Sequence, residues 1–269
     1  MKITSWNIQH GEVYSPGQAI DRTVEIKRTL TSLNPDVLML QEVDHLDDRS
    51  NREHQSKDFA EIIDAPFWAF APSVWRKDDG WLDWPMGTSE KFPALITKDS
   101  PSTEPCYGIA IASQIPIIKW ERRELPKALV GWWLPTTIDG VTRKYWVNDH
   151  ARTALAAYLA DGTVLINTHL SWEPIFRNIQ LARLKSWANS IARDKSLNVM
   201  IIGDLNIPIS WEESVESLRW KSRARQLTFP VWKPDCQIDH FLTRPGVKVA
   251  LEPIVESKIS DHLPISIRI

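Results

Sequence analysis

Short apolar segments recur along most of the chain and predict β-strands. The first covers Lys2–Ile8, and the second, Asp36–Glu42 (DVLMLQE), is apolar at nearly every position. An apolar run bounded by polar residues is typical of a strand that is buried on both faces. Further segments of the same kind are Gly108–Ser113, Ala154–Leu159, Val164–His169, Val199–Asp204, Ile238–Thr243 and Leu263–Ile269.

A helical pattern separates some of these strands. It covers Ile20–Leu33 and ends at Asn34, because the following proline disfavours a helical conformation in the residue before it. A capping-box pattern at Ser210 and Glu213 predicts a short helix. Apolar residues at i, i+3, i+4 and i+7 predict another helix with one buried stripe, through Leu184, Trp187, Ala188 and Ile191. Since the gaps between strands are too irregular for a doubly wound sheet, we expect a layered α/β protein with two packed sheets.

Two segments, 44–106 and 121–150, have no regular pattern and are expected to be loops and insertions that contact the substrate. Several of the 14 tryptophans lie in them, close to Arg76 and Lys77: Trp75, Trp81, Trp84, Trp132 and Trp133. These rings suit a stacking platform for bases or a lipid-facing lid. They also suit a local core of large rings within loops, which is the interpretation we favour.

The balance of charge limits the partners. The chain has 269 residues, with 32 Lys and Arg against 34 Asp and Glu, and a formal net charge of −2. Binding of long duplex DNA depends on many contacts from Lys and Arg to phosphates, which this balance disfavours. Short oligonucleotides remain open as ligands.

The cysteines and the N-terminal residues indicate which cellular compartment to expect. Cys106 and Cys236 form no CxxC pair, so we expect free thiols in a reducing compartment rather than a zinc site or a disulfide framework. The sequence has no apolar run of roughly 18 residues that would span a membrane. The N-terminus lacks the apolar region and cleavage site of a secretion signal. We expect a cytoplasmic protein.

Carboxylate, amide and imidazole side chains stand at the ends of the predicted strands or directly beside them. They are Asn7, Glu42, His169, Asp204, Asn206, Asp239, Asp261 and His262. One such residue fits a turn, but burying so many together is costly unless they hold a cation or one another. Oxygen ligands without cysteine suit Mg²⁺ or Mn²⁺, and histidine can act as an acid, a base or a charge stabiliser. The set predicts metal-dependent hydrolysis of a phosphoester.

The segments that carry these residues resemble the motifs of the endonuclease/exonuclease/phosphatase superfamily, which has the DNase I-like fold. In order, they are SWNIQHG (5–11), PDVLMLQEVD (35–44), YGIAIAS (107–113), NTHLS (167–171), GDLN (203–206), IDH (238–240) and SDHLP (260–264). The resemblance implies one such domain over residues 1–269. It implies a four-layered α/β sandwich, in which two mainly antiparallel sheets are flanked by helices.

The resemblance also implies a metal site. Glu42 would be the principal ligand, with Asn7 beside it, and Asp261 would contribute directly or through water. The expected ion is Mg²⁺ or Mn²⁺.

The other residues have catalytic roles in the family. Asp204 would orient or deprotonate the attacking water, and Asn206 would hold the phosphate. His262, paired with Asp239, would act on the nucleophile or bind a phosphate oxygen. His169 would stabilise the transition state or protonate the leaving group.

Four further residues leave alternatives open. Arg152 fits a structural ion pair or a phosphate contact equally well, and Tyr107 could touch phosphate. Arg177 and Gln180 are expected to lock the loop at 172–177 to its helix.

The expected substrate is a small or lipid-derived phosphoester, cleaved by a monomeric enzyme. A histidine at position 169 fits the DNase-like, sphingomyelinase-like and small phosphohydrolase branches of the family better than the AP-endonuclease branch, which usually has an asparagine near that position. The whole pattern is most similar to bacterial phosphodiesterase and phosphatase members. The alternatives are an endo- or exonuclease on DNA or RNA, and a catalytically silent binding module on the same scaffold.

Overall fold

The apolar segments form strands of two large sheets that pack face to face. The computed structural model describes residues 1–15, 17–78, 80–128, 131–138, 141–211 and 215–269. The α-helices in these ranges are α1 (Arg22–Leu33), α2 (Gln55–Ile62) and α3 (Pro174–Ile191), and short 3-10 helices cover Gln9–Gly11, Asp48–Ser50 and Ile209–Trp211. The strands are β1 (Lys2–Asn7), β2 (Val37–His45), β3 (Phe67–Lys77), β4 (Gly80–Asp83), β5 (Cys106–Ser113), β6 (Ile117–Leu125), β7 (Trp132–Ile138), β8 (Val141–Val147), β9 (Arg152–Leu159), β10 (Thr163–His169), β11 (Asn198–Asp204), β12 (Lys221–Ser222), β13 (Asp239–Thr243), β14 (Ala250–Leu251) and β15 (Ile265–Arg268).

Each sheet contains one pair of parallel strands joined by a helix. The seven-stranded sheet has the order β14-β15-β1-β2-β5-β3-β4, and the six-stranded sheet has the order β12-β13-β11-β10-β9-β6. β1 and β2 are parallel, as are β10 and β11. The chain crosses between the partners through α1 in the first case and α3 in the second. A parallel connection needs such a crossover, and it leaves the carboxyl ends of both strands at the same edge.

The alternation of side chains in β2 shows how the layers form. Val37 and Met39 point into the core between the sheets, whereas Leu38 and Leu40 point to the outer face covered by α1 and α2. On the other side, α3 packs its buried stripe against the outer face of the six-stranded sheet. The four layers are therefore helices, sheet, sheet and helix. This confirms the predicted sandwich of two mainly antiparallel sheets, each of which contains one parallel pair.

The boundaries of α1 are set by its caps. The Asp21 side chain accepts a hydrogen bond from the backbone N–H of Val24 at 3.1 Å, so the helix begins at Arg22 rather than at the predicted Ile20. A capping carboxylate satisfies one of the free N–H groups at a helix start. The helix ends at Leu33, as predicted, because Asn34 adopts a left-handed conformation before the proline.

The prediction that 44–106 and 121–150 are loops was wrong for much of both segments, although residues 84–105 contain no helix or strand. They contain α2, β3, β4, most of β6 and the hairpin of β7 and β8. The strands escaped notice because they lack a simple alternation: β3 is buried at consecutive positions from Ala69 to Val74, and its register shifts between Pro72 and Val74. At Ser210, where a helix was predicted to begin, the structure has the 3-10 helix Ile209–Trp211. The capping residue Glu213 and the side chain of Trp132 lie outside the described residues.

Two simpler expectations can be compared with the structure. Cys106 and Cys236 are free thiols. In the part of the chain that the structure describes, no helix has both the length and the hydropathy that crossing a membrane requires.

Candidate active site

The two parallel strand pairs deliver polar side chains to the same end of the sandwich. In the six-stranded sheet, His169 pairs with Asp204, and Asp204 pairs with Asp239 on the next strand. In the seven-stranded sheet, Asn7 ends β1 beside the end of β2. The Asn7 amide Nδ2 reaches across the sandwich and donates a hydrogen bond to Asp204 Oδ2 at 3.1 Å. The predicted site residues therefore come together from both sheets.

Glu42 is aimed into the site by an irregularity in β2. The pairing of β2 with β5 shifts register between Leu40 and Val43, and Glu42 has a positive φ of 56°. Such a conformation is unfavourable for a residue with a side chain, and bulges of this kind re-aim side chains beside active sites. The Glu42 carboxylate accepts a hydrogen bond from Asn7 Nδ2 at 3.0 Å.

His262 and Asp239 form a buried ion pair. The His262 Nδ1 atom lies 2.9 Å from Asp239 Oδ2, which also accepts a 2.5 Å hydrogen bond from the Thr228 hydroxyl. Burial alone would lower the pKa of His262, but the charges of Asp239, Asp204 and Asp261 outweigh burial and raise its pKa to about 10. The imidazole is therefore protonated at neutral pH, and its Nε2 atom lies 3.8 Å from Asp204 Oδ2.

Asp204 is the carboxyl group at the centre of the site. Burial, followed by the repulsion of Asp239, raises its pKa to about 7, although the charge of His262 acts in the opposite direction. Its Oδ1 atom accepts a 2.8 Å hydrogen bond from the backbone N–H of Asn206. A carboxyl group with such a pKa can gain and lose a proton near neutral pH.

His169 and Asn206 lie on the other side of Asp204. The His169 Nε2 atom is 3.5 Å from Asp204 Oδ2, 4.0 Å from Glu42 Oε1 and 3.2 Å from Asn206 Nδ2. Burial and the charges of Arg152 and His262 lower the pKa of His169 well below its usual value. The ring is therefore neutral, and its Nε2 can accept the hydrogen bond from the Asn206 amide.

Asn206 is held in place from α3. The Arg177 guanidinium donates a short hydrogen bond to the Asn206 carbonyl oxygen. Gln180 holds the preceding loop, since its Oε1 atom accepts a 2.7 Å hydrogen bond from the backbone N–H of Ser171. Both residues thus brace the loops around α3, and Arg177 also fixes a predicted catalytic residue.

Glu42 and Asp261 form the edge of the site where a cation would fit. Burial, followed by the nearby charge of Glu42, raises the pKa of Asp261, while His262 lowers it. Among the described residues, no lysine or arginine forms an ion pair with either carboxylate. Two neighbouring carboxylates without a cationic partner suit a hard cation such as Mg²⁺. The Asn7 amide turns its Nδ2 to Glu42, and its Oδ1 accepts a 3.1 Å hydrogen bond from the backbone N–H of Gln9, so its oxygen would bind an ion only after the amide turns. The donor set therefore fits the predicted metal ion.

A second grouping of potential ligands lies deeper. One ligand atom each from Asp204, Asp239 and His262 lies within 4.8 Å of the others, and all three residues are buried. His262 already uses its Nδ1 atom for Asp239, and a protonated imidazole cannot bind a metal because it has no free lone pair. This group is therefore better suited to holding protons than to holding an ion.

Arg152 makes an ion pair inside the protein. Its Nη2 atom lies 2.7 Å from Asp149 Oδ1, and both residues are buried. The Arg152 Nε and Asp149 Oδ2 atoms are buried without a hydrogen-bond partner. Burial, and then the charge of Glu42, raises the pKa of Tyr107 well above its usual value. Of the two roles expected for Arg152, the structure shows the ion pair, with Asp149.

Sequence patterns missed several residues that position the site. Gln41 Nε2 donates to Asn167 Oδ1 at 2.7 Å, which ties the two sheets together beneath the site. The Ser260 hydroxyl donates to the Asn7 carbonyl at 2.6 Å, and Thr228 supports Asp239. A buried polar residue within an apolar strand, as in Asn167 of TVLINTH, is the one signal that was available in the sequence.

The tryptophan-rich segments have two roles. Trp75 and Trp84 pack edge-on against Phe92, each with ring centroids 5.0 Å away, and they form the local core that was predicted. Trp81 instead faces the guanidinium groups of Arg49 and Arg76, at 5.2 and 4.3 Å from its ring centroid. Trp133 is 54% exposed.

Comparison with known proteins agrees with this geometry. The model of the endonuclease/exonuclease/phosphatase family matches residues 4–262. The chain belongs to this family. A search of curated proteins with this sequence finds no match.

Solved structures of the endonuclease/exonuclease/phosphatase family share the fold at low sequence identity. A family protein from Bacteroides thetaiotaomicron has a TM-score of 0.62 at 15% identity, over 99% of this chain and 93% of that chain. A mannosyl-6-phosphatase from the same organism has a TM-score of 0.59 at 16% identity, over 100% and 98%. The catalytic domain of human Nocturnin, with a bound sulfate anion, has a TM-score of 0.58 at 15% identity, over 99% and 93%.

Proposed function

We propose that this protein is a phosphoester hydrolase that depends on Mg²⁺ or Mn²⁺ and cleaves its substrate with an activated water. One observation carries the proposal: a buried His262–Asp239 pair faces Asp204, beside the partly exposed carboxylates of Glu42 and Asp261. The groups that we assign to acid–base chemistry thus lie next to the carboxylates that we assign to the cation. Family membership supports hydrolysis of a phosphoester as the reaction class.

The metal-binding residues in this proposal are Glu42, Asn7 and Asp261, the last directly or through water. When bound, a divalent ion polarises a phosphoryl oxygen and stabilises the charge that develops on it. The two carboxylates attract the ion, and the hydrogen bond from Asn7 Nδ2 orients Glu42.

Asp204 is the group that we assign to the attacking water. Its Oδ1 atom is held by the N–H of Asn206, while Oδ2 faces the centre of the site. It would orient the water and accept its proton. His262 keeps its proton because Asp239 compensates its charge, and its Nε2–H would donate to a phosphate oxygen.

His169 and Asn206 would act on the other side of the phosphate. In the structure, the Asn206 amide donates to the His169 Nε2 atom and to the Leu170 carbonyl. With substrate bound, the amide would turn to hold a phosphate oxygen, and the His169 tautomer with its proton on Nε2 would donate a hydrogen bond to the leaving oxygen.

A small or lipid-derived phosphoester is the substrate class that we favour. The net charge of −2 disfavours long duplex DNA. The similar fold of a mannosyl-6-phosphatase is compatible with a small substrate. A nuclease would instead nick plasmid DNA or trim single strands, with steep salt dependence, and a silent binding module would hydrolyse nothing.

Hydrolysis of bis-p-nitrophenyl phosphate with Mg²⁺ or Mn²⁺ tests the proposal. We expect Glu42→Ala and His262→Ala to lose at least about a hundredfold in kcat/KM, because each removes a group that acts in the transition state. Glu61→Ala is the matched control, since that glutamate is 65% exposed and lies on α2. Equal activity of the wild type and both site variants would reject the proposal.

A further inference from the structure

The most exposed tryptophan among the described residues stands beside the candidate site. The Trp232 side chain is 64% exposed. Its ring stacks on Tyr14, with centroids 5.3 Å apart and an angle of 29° between the planes. Tyr14 thus covers one face of the indole and leaves the remainder open to solvent. Large aromatic rings usually bury most of their surface, so an open indole next to a catalytic centre needs an explanation.

The loop that carries Trp232 is fastened to the site at two points. The Phe229 ring packs on the His262 imidazole, with centroids 4.9 Å apart. The backbone N–H of Val231 donates a 2.7 Å hydrogen bond to the Asp261 carbonyl oxygen. Trp232 is therefore one residue away from a direct backbone contact with a predicted metal ligand.

Tyr14 is fastened to the same segment from the opposite direction. Its backbone N–H donates to the Lys258 carbonyl at 2.7 Å, and Glu12 accepts a 2.8 Å hydrogen bond from the N–H of Ser260. Nearby, Gln9 Oε1 accepts a 3.2 Å hydrogen bond from the N–H of Asp261. Both rings of the stack are thus anchored on residues 258–262, and their position relative to the site is fixed by the backbone.

A second aromatic ring, that of Trp81, is covered by neighbouring side chains. Arg49 and Arg76 face the Trp81 ring, and each guanidinium is held by a buried carboxylate, Asp44 or Asp47. These four residues neutralise one another and cover the indole. Trp232 has no such cover among the described residues, so it offers the more accessible surface for stacking.

We propose that Trp232, backed by Tyr14, is a platform on which an unpaired nucleobase of the substrate stacks while its phosphate occupies the candidate site. The proposal rests on the proposed function and narrows its substrate class to a nucleotide or a short, unpaired nucleic acid. Stacking of a base on an aromatic side chain tolerates any base, because every base has a flat π face. It needs no excess of Lys and Arg, in keeping with the charge balance of the chain.

Calorimetric binding of three phosphates tests the platform: thymidine 5′-monophosphate, glucose 6-phosphate and inorganic phosphate, each with Mg²⁺ present. We expect the wild type to bind the nucleotide at least tenfold more tightly than inorganic phosphate. Trp232→Ala should weaken nucleotide binding about tenfold and leave binding of inorganic phosphate unchanged, whereas Trp232→Phe should retain most of the affinity. Trp146→Ala is the matched control, because this tryptophan is 54% exposed on the separate β7–β8 hairpin.

Two results would overturn the platform. One is equal affinity of the wild type and Trp232→Ala for the nucleotide. The other is a loss confined to glucose 6-phosphate, which would assign the indole to a sugar ring instead. Neither result touches the proposed hydrolysis, which the Glu42 and His262 variants decide separately.

Discussion

The two sides of the candidate site differ in their access to water. Asp204, Asp239 and His262 are at most 4% exposed, whereas the side chains of Glu42 and Asp261 are 24% and 21% exposed. On the buried side a charged group is stable only next to a group of opposite charge, because an unpaired charge away from water is costly. The partly exposed side keeps two carboxylates without a basic partner, so it can exchange ligands. The buried side therefore suits the proposed proton transfer, and the partly exposed side suits the proposed metal ion.

Loss of the buried countercharge should have the largest effect. In Asp239→Asn, burial is no longer opposed by the adjacent carboxylate, so the pKa of His262 falls and the ring loses its proton at neutral pH. We expect kcat/KM to fall roughly ten-thousandfold, the loss found for a catalytic histidine when its orienting carboxylate becomes an amide. Steady-state kinetics at saturating Mg²⁺ measure the loss.

Thr228→Val provides the comparison for that variant. It removes the hydrogen bond to Asp239 Oδ2 but keeps the charge. We expect a loss of roughly tenfold to a hundredfold, still well below that of Asp239→Asn, since a hydrogen bond to a charged group contributes about 1.5–3 kcal/mol. Equal losses in the two variants would contradict the assignment of Asp239 as the countercharge of His262.

On the partly exposed side, Asp261→Asn should weaken binding of the metal ion rather than slow the chemical step. We expect the Mg²⁺ concentration at half-maximal activity to rise roughly tenfold to a hundredfold, in the range found when groups that support a metal site are lost. Because the pKa of Asp261 is raised, the wild type should also need more Mg²⁺ as the pH falls and that carboxylate takes up a proton. The variant should have a weaker pH dependence of this midpoint.

Glu12→Gln is the control for the metal titration. Its side chain is 57% exposed and lies near the same end of the molecule. A midpoint that moves equally in Glu12→Gln and Asp261→Asn would indicate a general electrostatic effect and would remove Asp261 from the metal site.

The sequence predicted one part of the fold better than the other for a physical reason. β2, β10 and β11 are buried on both faces, so each carries a continuous apolar run that indicates a strand from hydrophobicity alone. β7 and β8 pair only with each other in a hairpin. Such a strand needs no continuous apolar run, and local pattern therefore does not indicate it.

In the candidate site, too, some features could be predicted from the sequence and others could not. Its carboxylates and histidines were predictable because they end apolar strands. The positive φ of Glu42, the bond between Gln41 and Asn167, and the stack of Tyr14 on Trp232 were not. Each depends on how distant segments meet, and spacing along the chain carries no information about that.

The smallest expected effect is one of stability. Folding raises the pKa of Asp204 to about 7. In the unfolded chain the same carboxyl group has a pKa of about 3.9. The native state therefore loses stability as the pH rises above about 3.9, and the loss is complete above about pH 7. Asn has no charge to bury, but Asp204→Asn also disturbs the hydrogen bond from Asn7. We expect a net gain of about 1–2 kcal/mol in the free energy of unfolding at pH 8 without added metal, and no gain near pH 4. Urea unfolding at several pH values measures it, with exposed Asp235→Asn as the control, and a gain independent of pH would mean that the charge of Asp204 is not its cause.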